Sequence, residues 1–313
     1  MGELMKDELN KALENLTSTY LSVNYNLTWL KAMLLKGKRI KEHGTLVTGS
    51  SHALYGVHEA YLSNSVNCSM HSQDIYYNFL CAKEVLENGI KGAYDRAFIV
   101  MGYYIAFQDL SKSTIMREKV IAPVYYPIFR DAHNWEMPNA VSPWSKIGEL
   151  PEEAKRICEI LAEQTLLQKE SYFSDLKPRK PFFDFEGRSW HTLSLEEKDE
   201  WGEKRAECHN KLAVYKDSFV ENCEIMKDLV GLLKLHGITP VVVIPPFTSA
   251  YNKYVESRYK EAIVEMLEKI DQEVHFVDFN DSDFFEDRDF VDTDHLNKVG
   301  ANKLSSMLYQ IFI

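Results

Sequence analysis

The run Leu46-Val47-Thr48-Gly49-Ser50-Ser51-His52-Ala53-Leu54-Tyr55-Gly56-Val57 constrains this chain most: an apolar strand stops at a glycine, turns through two serines and re-enters as an apolar helix. A strand that leads straight into a helix opens a βα unit, and repeating such units commits a chain to a parallel sheet covered by helices. The repeats follow. Asn64 to Met70 reads as a second short strand, Ile75, Phe79, Ala82 and Leu86 mark a helix closing near Gly89, and Ala97-Phe98-Ile99-Val100-Met101 is a buried strand. Right-handed crossovers between them give a doubly wound parallel sheet. Val241-Val242-Val243-Ile244 and Val274 to Val277 add two strands, with a helix near Asn252 to Ile270 between them, and Leu304, Leu308 and Ile311 fix a last helix to the core.

The first 40 residues read as a helical segment, with Leu9, Leu13, Leu16, Tyr20, Leu27, Leu30 and Leu34 at helical spacing. From about Lys112 the strand–helix rhythm fails, and Pro123, Pro127, Pro138, Pro143, Pro151, Pro178 and Pro181 interrupt the chain. This predicts a largely helical insertion over about 112–236 within a single α/β domain spanning 1–313, either a lid or substrate wall or a purely structural elaboration. It ends in a long charged helix that starts at the capping box Ser194-Leu195-Glu196-Glu197 and stops at His236-Gly237. The net charge of −11 argues against nucleic acid or an anionic membrane as partner. Five scattered cysteines without Cys-x-x-Cys spacing imply neither a zinc site nor a disulfide framework. Charged residues throughout 1–36 argue against a signal peptide or a membrane span, so the expected location is cytoplasmic, or that of a soluble fragment of an exported or anchored protein.

The chemistry gathers where strands end. Ser51 stands where the first strand gives way to a helix, which holds its hydroxyl at the carboxyl edge of the sheet. Near the other end of the chain, Phe290-Val291-Asp292-Thr293-Asp294-His295-Leu296-Asn297 carries an Asp three residues before a His on the loop into the last helix. That spacing lets the carboxylate bind one imidazole nitrogen and leaves the other to take a proton. Of ten histidines, only His295 combines this carboxylate with such a loop and with an Asn297 suited to cap the helix. Ser50 is the alternative nucleophile, expected to point away from the edge. Asp294 is the alternative orienter, expected to project to solvent.

Gly49-Ser50-Ser51 resembles the first block of the SGNH (GDSL-type) hydrolases, with Ser50 replacing the family's Asp, and Asp292-x-x-His295 resembles their last block. Asn67-Cys68-Ser69-Met70-His71-Ser72 is similar to the second block, Asn-x-Gly-x-x-Gly, with serines at both glycine positions, and Tyr104 in Gly102-Tyr103-Tyr104 stands at the Asn of the third, Gly-x-Asn-Asp. The resemblance covers roughly residues 42–110 and 238–313. It implies a three-layer α/β/α sandwich with a parallel, flavodoxin-like sheet of about five strands. It also implies a triad of Ser51, Asp292 and His295, and an oxyanion hole built from the backbone amides of Ser51 and Ser72 with Tyr104. His52, Phe247 and Tyr251 are expected to contact substrate. The Gly-Ser-Ser opening, the missing Asn and the Pro245-Pro246 turn are closer to the divergent branch that includes D-alanyl lipoteichoic acid transfer and alginate acetylation proteins, whose members act on acyl esters of cell-surface polysaccharides. The expected activity is a serine esterase or deacetylase acting on an acylated carbohydrate or other small ester. An O-acyltransferase with the same site and a non-catalytic carbohydrate-binding module on the same fold are the alternatives. No cofactor is expected, and no metal, because Asp292-x-Asp294-His295 lacks a second His or carboxylate cluster to complete a coordination shell.

Overall fold

A computed structural model describes residues 25–62, 64–137, 185–270 and 273–311. In chain order its main elements are α1 (Tyr25–Lys38), β1 (Gly44–Gly49), α2 (Ser51–Gly56), β2 (Ser65–Asn67), α3 (Ile75–Glu87), β3 (Tyr94–Val100), α4 (Leu195–Asn210), α5 (Lys216–Leu235), β4 (Thr239–Ile244), α6 (Arg258–Glu268), β5 (His275–Asp278) and α7 (Lys298–Gln310). The described residues form two compact units, one of 37–109 with 185–311 and one of 25–36 with 110–137.

The larger unit is a three-layer α/β/α sandwich around a five-stranded parallel sheet of order β2-β1-β3-β4-β5. Alternation along the strands sends Val47, Phe98, Val100, Val241 and Val243 to one face, where they meet Ala53 of α2, Val57 just beyond it, and Leu304 and Leu308 of α7. α3 and α5 pack on each other and on the sheet, and they bury Ile75, Ala82, Val85, Met226, Leu229 and Leu233. Gly49 is required where β1 ends: a Cβ there would lie 1.9 Å from the Val100 carbonyl oxygen and 2.7 Å from Ala53 Cβ. Without a side chain the strand runs against β3 and turns at once into α2.

Of the stretch expected as an insertion, 112–236, residues up to 137 lie in the smaller unit, whereas Phe185, Trp190 and Leu193 join the sheet core and α4 and α5 belong to the sheet unit. The expected long helix from 194 to 236 is two helices. The break has a tertiary cause: the Tyr259 hydroxyl donates to the His209 carbonyl at 2.7 Å and accepts from the Ala213 amide at 3.0 Å, taking up the two groups a continuous helix would join. In the smaller unit, Ser113 caps a helical turn at Thr114–Met116, which continues as a wide π-helical segment, Arg117–Tyr125, with Pro123 inside it. α1 buries Leu27, Leu30 and Leu34, as their spacing predicts, while residues 1–24 and 138–184 lie outside the described chain. Among the described residues, no helix is long and apolar enough to cross a membrane.

Candidate active site

Residues 51 and 295 are 244 positions apart, yet Ser51 Oγ lies 2.8 Å from His295 Nε2. His295 Nδ1 lies 3.0 and 3.1 Å from the two Asp292 oxygens. A carboxylate only accepts, so Nδ1 carries the proton and the Nε2 lone pair faces the Ser51 hydroxyl. Ser51 is set at this edge because α2 begins directly off β1, at the point where the strand order reverses between β1 and β3. His295 is set there by a clamped loop. Phe290 bridges Leu296, the Val291 amide donates to the His295 carbonyl at 2.9 Å, and Asn297 accepts the Val299 and Gly300 amides as the expected cap of α7. Asp292 Oδ1 also accepts the backbone amides of Asp294 and His295, at 3.1 and 2.9 Å. Ser51 keeps 8% of its surface exposed and His295 6%. Half-buried Tyr55 stands edge-on to the His295 ring with centroids 5.8 Å apart, and its hydroxyl meets His71 Nε2 at 2.8 Å. Ser72, also half-buried, holds a left-handed φ of 56°, the conformation that favours glycine at this position; Gln108 Nε2 donates to its carbonyl at 2.8 Å.

Directly behind this chain runs a second one. Ser50 Oγ lies 3.0 Å from His52 Nδ1, His52 Nε2 lies 3.2 Å from Asp294 Oδ2, and Arg205 donates to both Asp294 oxygens at 2.9 Å. The same proton accounting puts the His52 hydrogen on Nε2, so Ser50 donates its hydroxyl proton to Nδ1. The rings of His52 and His295 stack at 4.8 Å and 14°. Asp294 is therefore not directed to solvent as expected: it is 1% exposed and held by a guanidinium. Ser50 is fully buried, which removes it as a nucleophile open to substrate.

Of the expected substrate contacts, His52 has both nitrogens committed, Tyr251 is buried with its hydroxyl 2.7 Å from His209 Nδ1, and Phe247 packs against the His52 and Tyr251 rings. The Tyr104 ring stacks on His209 at 3.6 Å, burial raises the pKa of its hydroxyl, and that hydroxyl interacts with Ser50, so Tyr104 packs within the second chain. The spacing of the sequence motifs did not reveal Arg205 or His209. The signal was present in Gly202, Arg205, Ala206 and His209, a buried face of α4 where Gly202 passes so close to Ala250 that a Cβ would lie 2.4 Å from its carbonyl oxygen.

Burial works against protonating His295, but the Asp292 and Asp294 charges outweigh it and raise its pKa; Arg205 opposes them. Burial likewise would raise Asp294, yet Arg205 and His295 hold its carboxyl well below the usual range. Burial lowers both His52 and His209 and keeps them neutral. His52, Asp294 and His295 bring three ligand atoms within 4.8 Å of one another, but Arg205 already supplies the positive charge that a metal ion would bring, and each of these atoms has a protein partner.

No family model matches the chain, and no curated protein matches it. Among solved structures, the chain is similar to a protein from Streptococcus pneumonia provisionally described as a platelet activating factor, at 13% identity and a TM-score of 0.41, over 99% of this chain and 97% of the other. At that distance the likeness carries nothing about chemistry.

Proposed function

We propose that this chain is a serine-dependent acyl-ester hydrolase of the SGNH kind. The observation that carries the reading is the unbroken chain from Ser51 Oγ through His295 to Asp292, with contacts of 2.8 and 3.0 Å. Ser51 Oγ attacks the ester carbonyl carbon as its proton passes to His295 Nε2, and Asp292 stabilises the resulting imidazolium. The backbone amides of Ser51 and Ser72 are the oxyanion donors in this reading. Collapse of the tetrahedral intermediate expels the alcohol, which takes the proton from His295. Water, deprotonated by the same nitrogen, then cleaves the acyl-Ser51 bond and restores the hydroxyl. An acylated carbohydrate is the substrate class to test first, since the motif resemblance points there.

The test is covalent labelling by a fluorophosphonate probe together with turnover of a chromogenic acetate ester. Labelling is expected in the wild type and in Ser50→Ala, and it is expected to vanish in Ser51→Ala and His295→Ala. A wild-type protein that takes no probe would favour a binding module over an enzyme.

A further inference from the structure

We propose that Arg205 and Asp294 form a charge couple that positions His295 and sets the pH at which it can act as a base; the catalytic half of this inference rests on the hydrolase reading. The geometry is specific. Besides Asp292, the His295 Nδ1 edge meets a second carboxylate, Asp294 Oδ1, at 3.5 Å. Two uncompensated carboxylates against one imidazole would hold it as imidazolium, which cannot accept a proton from Ser51. Arg205 grips both oxygens of the second carboxylate in a fork, and all members of the group are buried. Asp292 accepts from His295 Nδ1 and from the backbone amides of Asp294 and His295, whereas the Arg205 fork closes on Asp294, so the guanidinium bears most directly on the second of the two carboxylates.

The groups facing His295 come from three elements. Its own loop gives Asp292 and Asp294, α2 gives His52 stacked on its face and Tyr55 at its edge, and α4 gives Arg205 and, more distantly, His209. Burial keeps His52 and His209 neutral, while Asp292 and Asp294 raise the His295 pKa and Arg205 lowers it. Asp294 has a mechanical role as well. It fixes the His52 shelf through Nε2 and accepts the Thr293 hydroxyl at 2.9 Å, so the couple holds both the charge and the plane of the base.

The test follows the His295 imidazole by NMR across pH, in parallel with the pH dependence of fluorophosphonate labelling, in the wild type, Arg205→Met, Asp294→Asn and the double variant. Arg205→Met leaves Asp294 uncompensated and is expected to move the His295 midpoint, and the acid limb of labelling, up by about one pH unit; Asp294→Asn moves both down by about as much. The double variant removes both charges and returns the midpoint to within about half a unit of wild type. A purely structural pair would slow labelling in both single variants without shifts of opposite sign. If one single variant fails to fold, the sign of the shift in the other decides, and a single variant whose midpoint stays within about half a unit of wild type overturns the couple. A double-variant midpoint displaced by more than about one unit overturns the couple. A wild type that titrates as expected but takes no probe removes the hydrolase reading and leaves the charge couple standing.

Discussion

At Asp292 the exchange of one oxygen for an amide separates a working base from a misdirected one. Asn has the same shape, and its carbonyl can still accept the backbone amides of Asp294 and His295, so the loop keeps its form. Its amide hydrogens, however, favour the tautomer with the proton on Nε2, which then cannot accept from Ser51. Asp292→Asn is therefore expected to slow acyl-ester turnover by about 10⁴-fold with little loss of stability. A fall of less than about tenfold, measured by single-turnover probe labelling, would show that Asp292 does not set the tautomer. Ser51, Asp292 and His295 were legible because the chemistry of each is announced by near neighbours: a strand end, a turn, an i−3 carboxylate. The chain of Ser50, His52, Asp294 and Arg205 was not. Its last link joins residues 89 positions apart, and judged from its neighbours alone Asp294 is simply the residue beside a histidine.

The elements that carry the site differ in how firmly they are held. α7 docks so tightly on the site loop that a Cβ at Gly300 would lie 2.2 Å from the Asp289 carbonyl oxygen and 2.7 Å from Leu296 Cδ2. Gly300→Ala must push α7 away from the loop that carries Asp292 and His295, at about 2–3 kcal/mol. Ser51–His295 contact should loosen with it, so probe labelling should slow alongside the lowered denaturation midpoint. Val299→Ala, one residue earlier and 61% exposed, serves as the control and should stay within about 0.5 kcal/mol of wild type. Strands β1, β3 and β4 could be read from their apolar runs because both of their faces are buried. The division between α4 and α5 could not, because no glycine or proline marks it. It depends on the Tyr259 hydroxyl, brought in from α6, satisfying the two backbone groups at the break.

For the whole molecule, burying so many ionisable groups behind one sheet edge makes stability a function of pH with a calculable shape. His295 is raised above its ordinary 6.5, so the stability it adds is complete below pH 6.5 and is lost as pH rises through its folded value. His52 and His209 are lowered from the same 6.5, so what they add is complete above pH 6.5 and is lost as pH falls and the unfolded chain takes up protons that the folded core refuses. Asp294, held below 3.8, adds a further loss only under more acid conditions. The three histidines together place the maximum of stability near pH 6.5. Below it, each refused proton contributes a slope approaching about 1.4 kcal/mol per pH unit. Urea denaturation between pH 6.5 and 5 should therefore show a fall that His209→Gln reduces by about one proton, whatever that substitution does to stability at its maximum. A wild-type profile flat across this range would mean that His52 and His209 accept protons inside the fold. The neutral shelf behind His295, and with it the assignment of charge to Arg205 and the two carboxylates, would then be wrong.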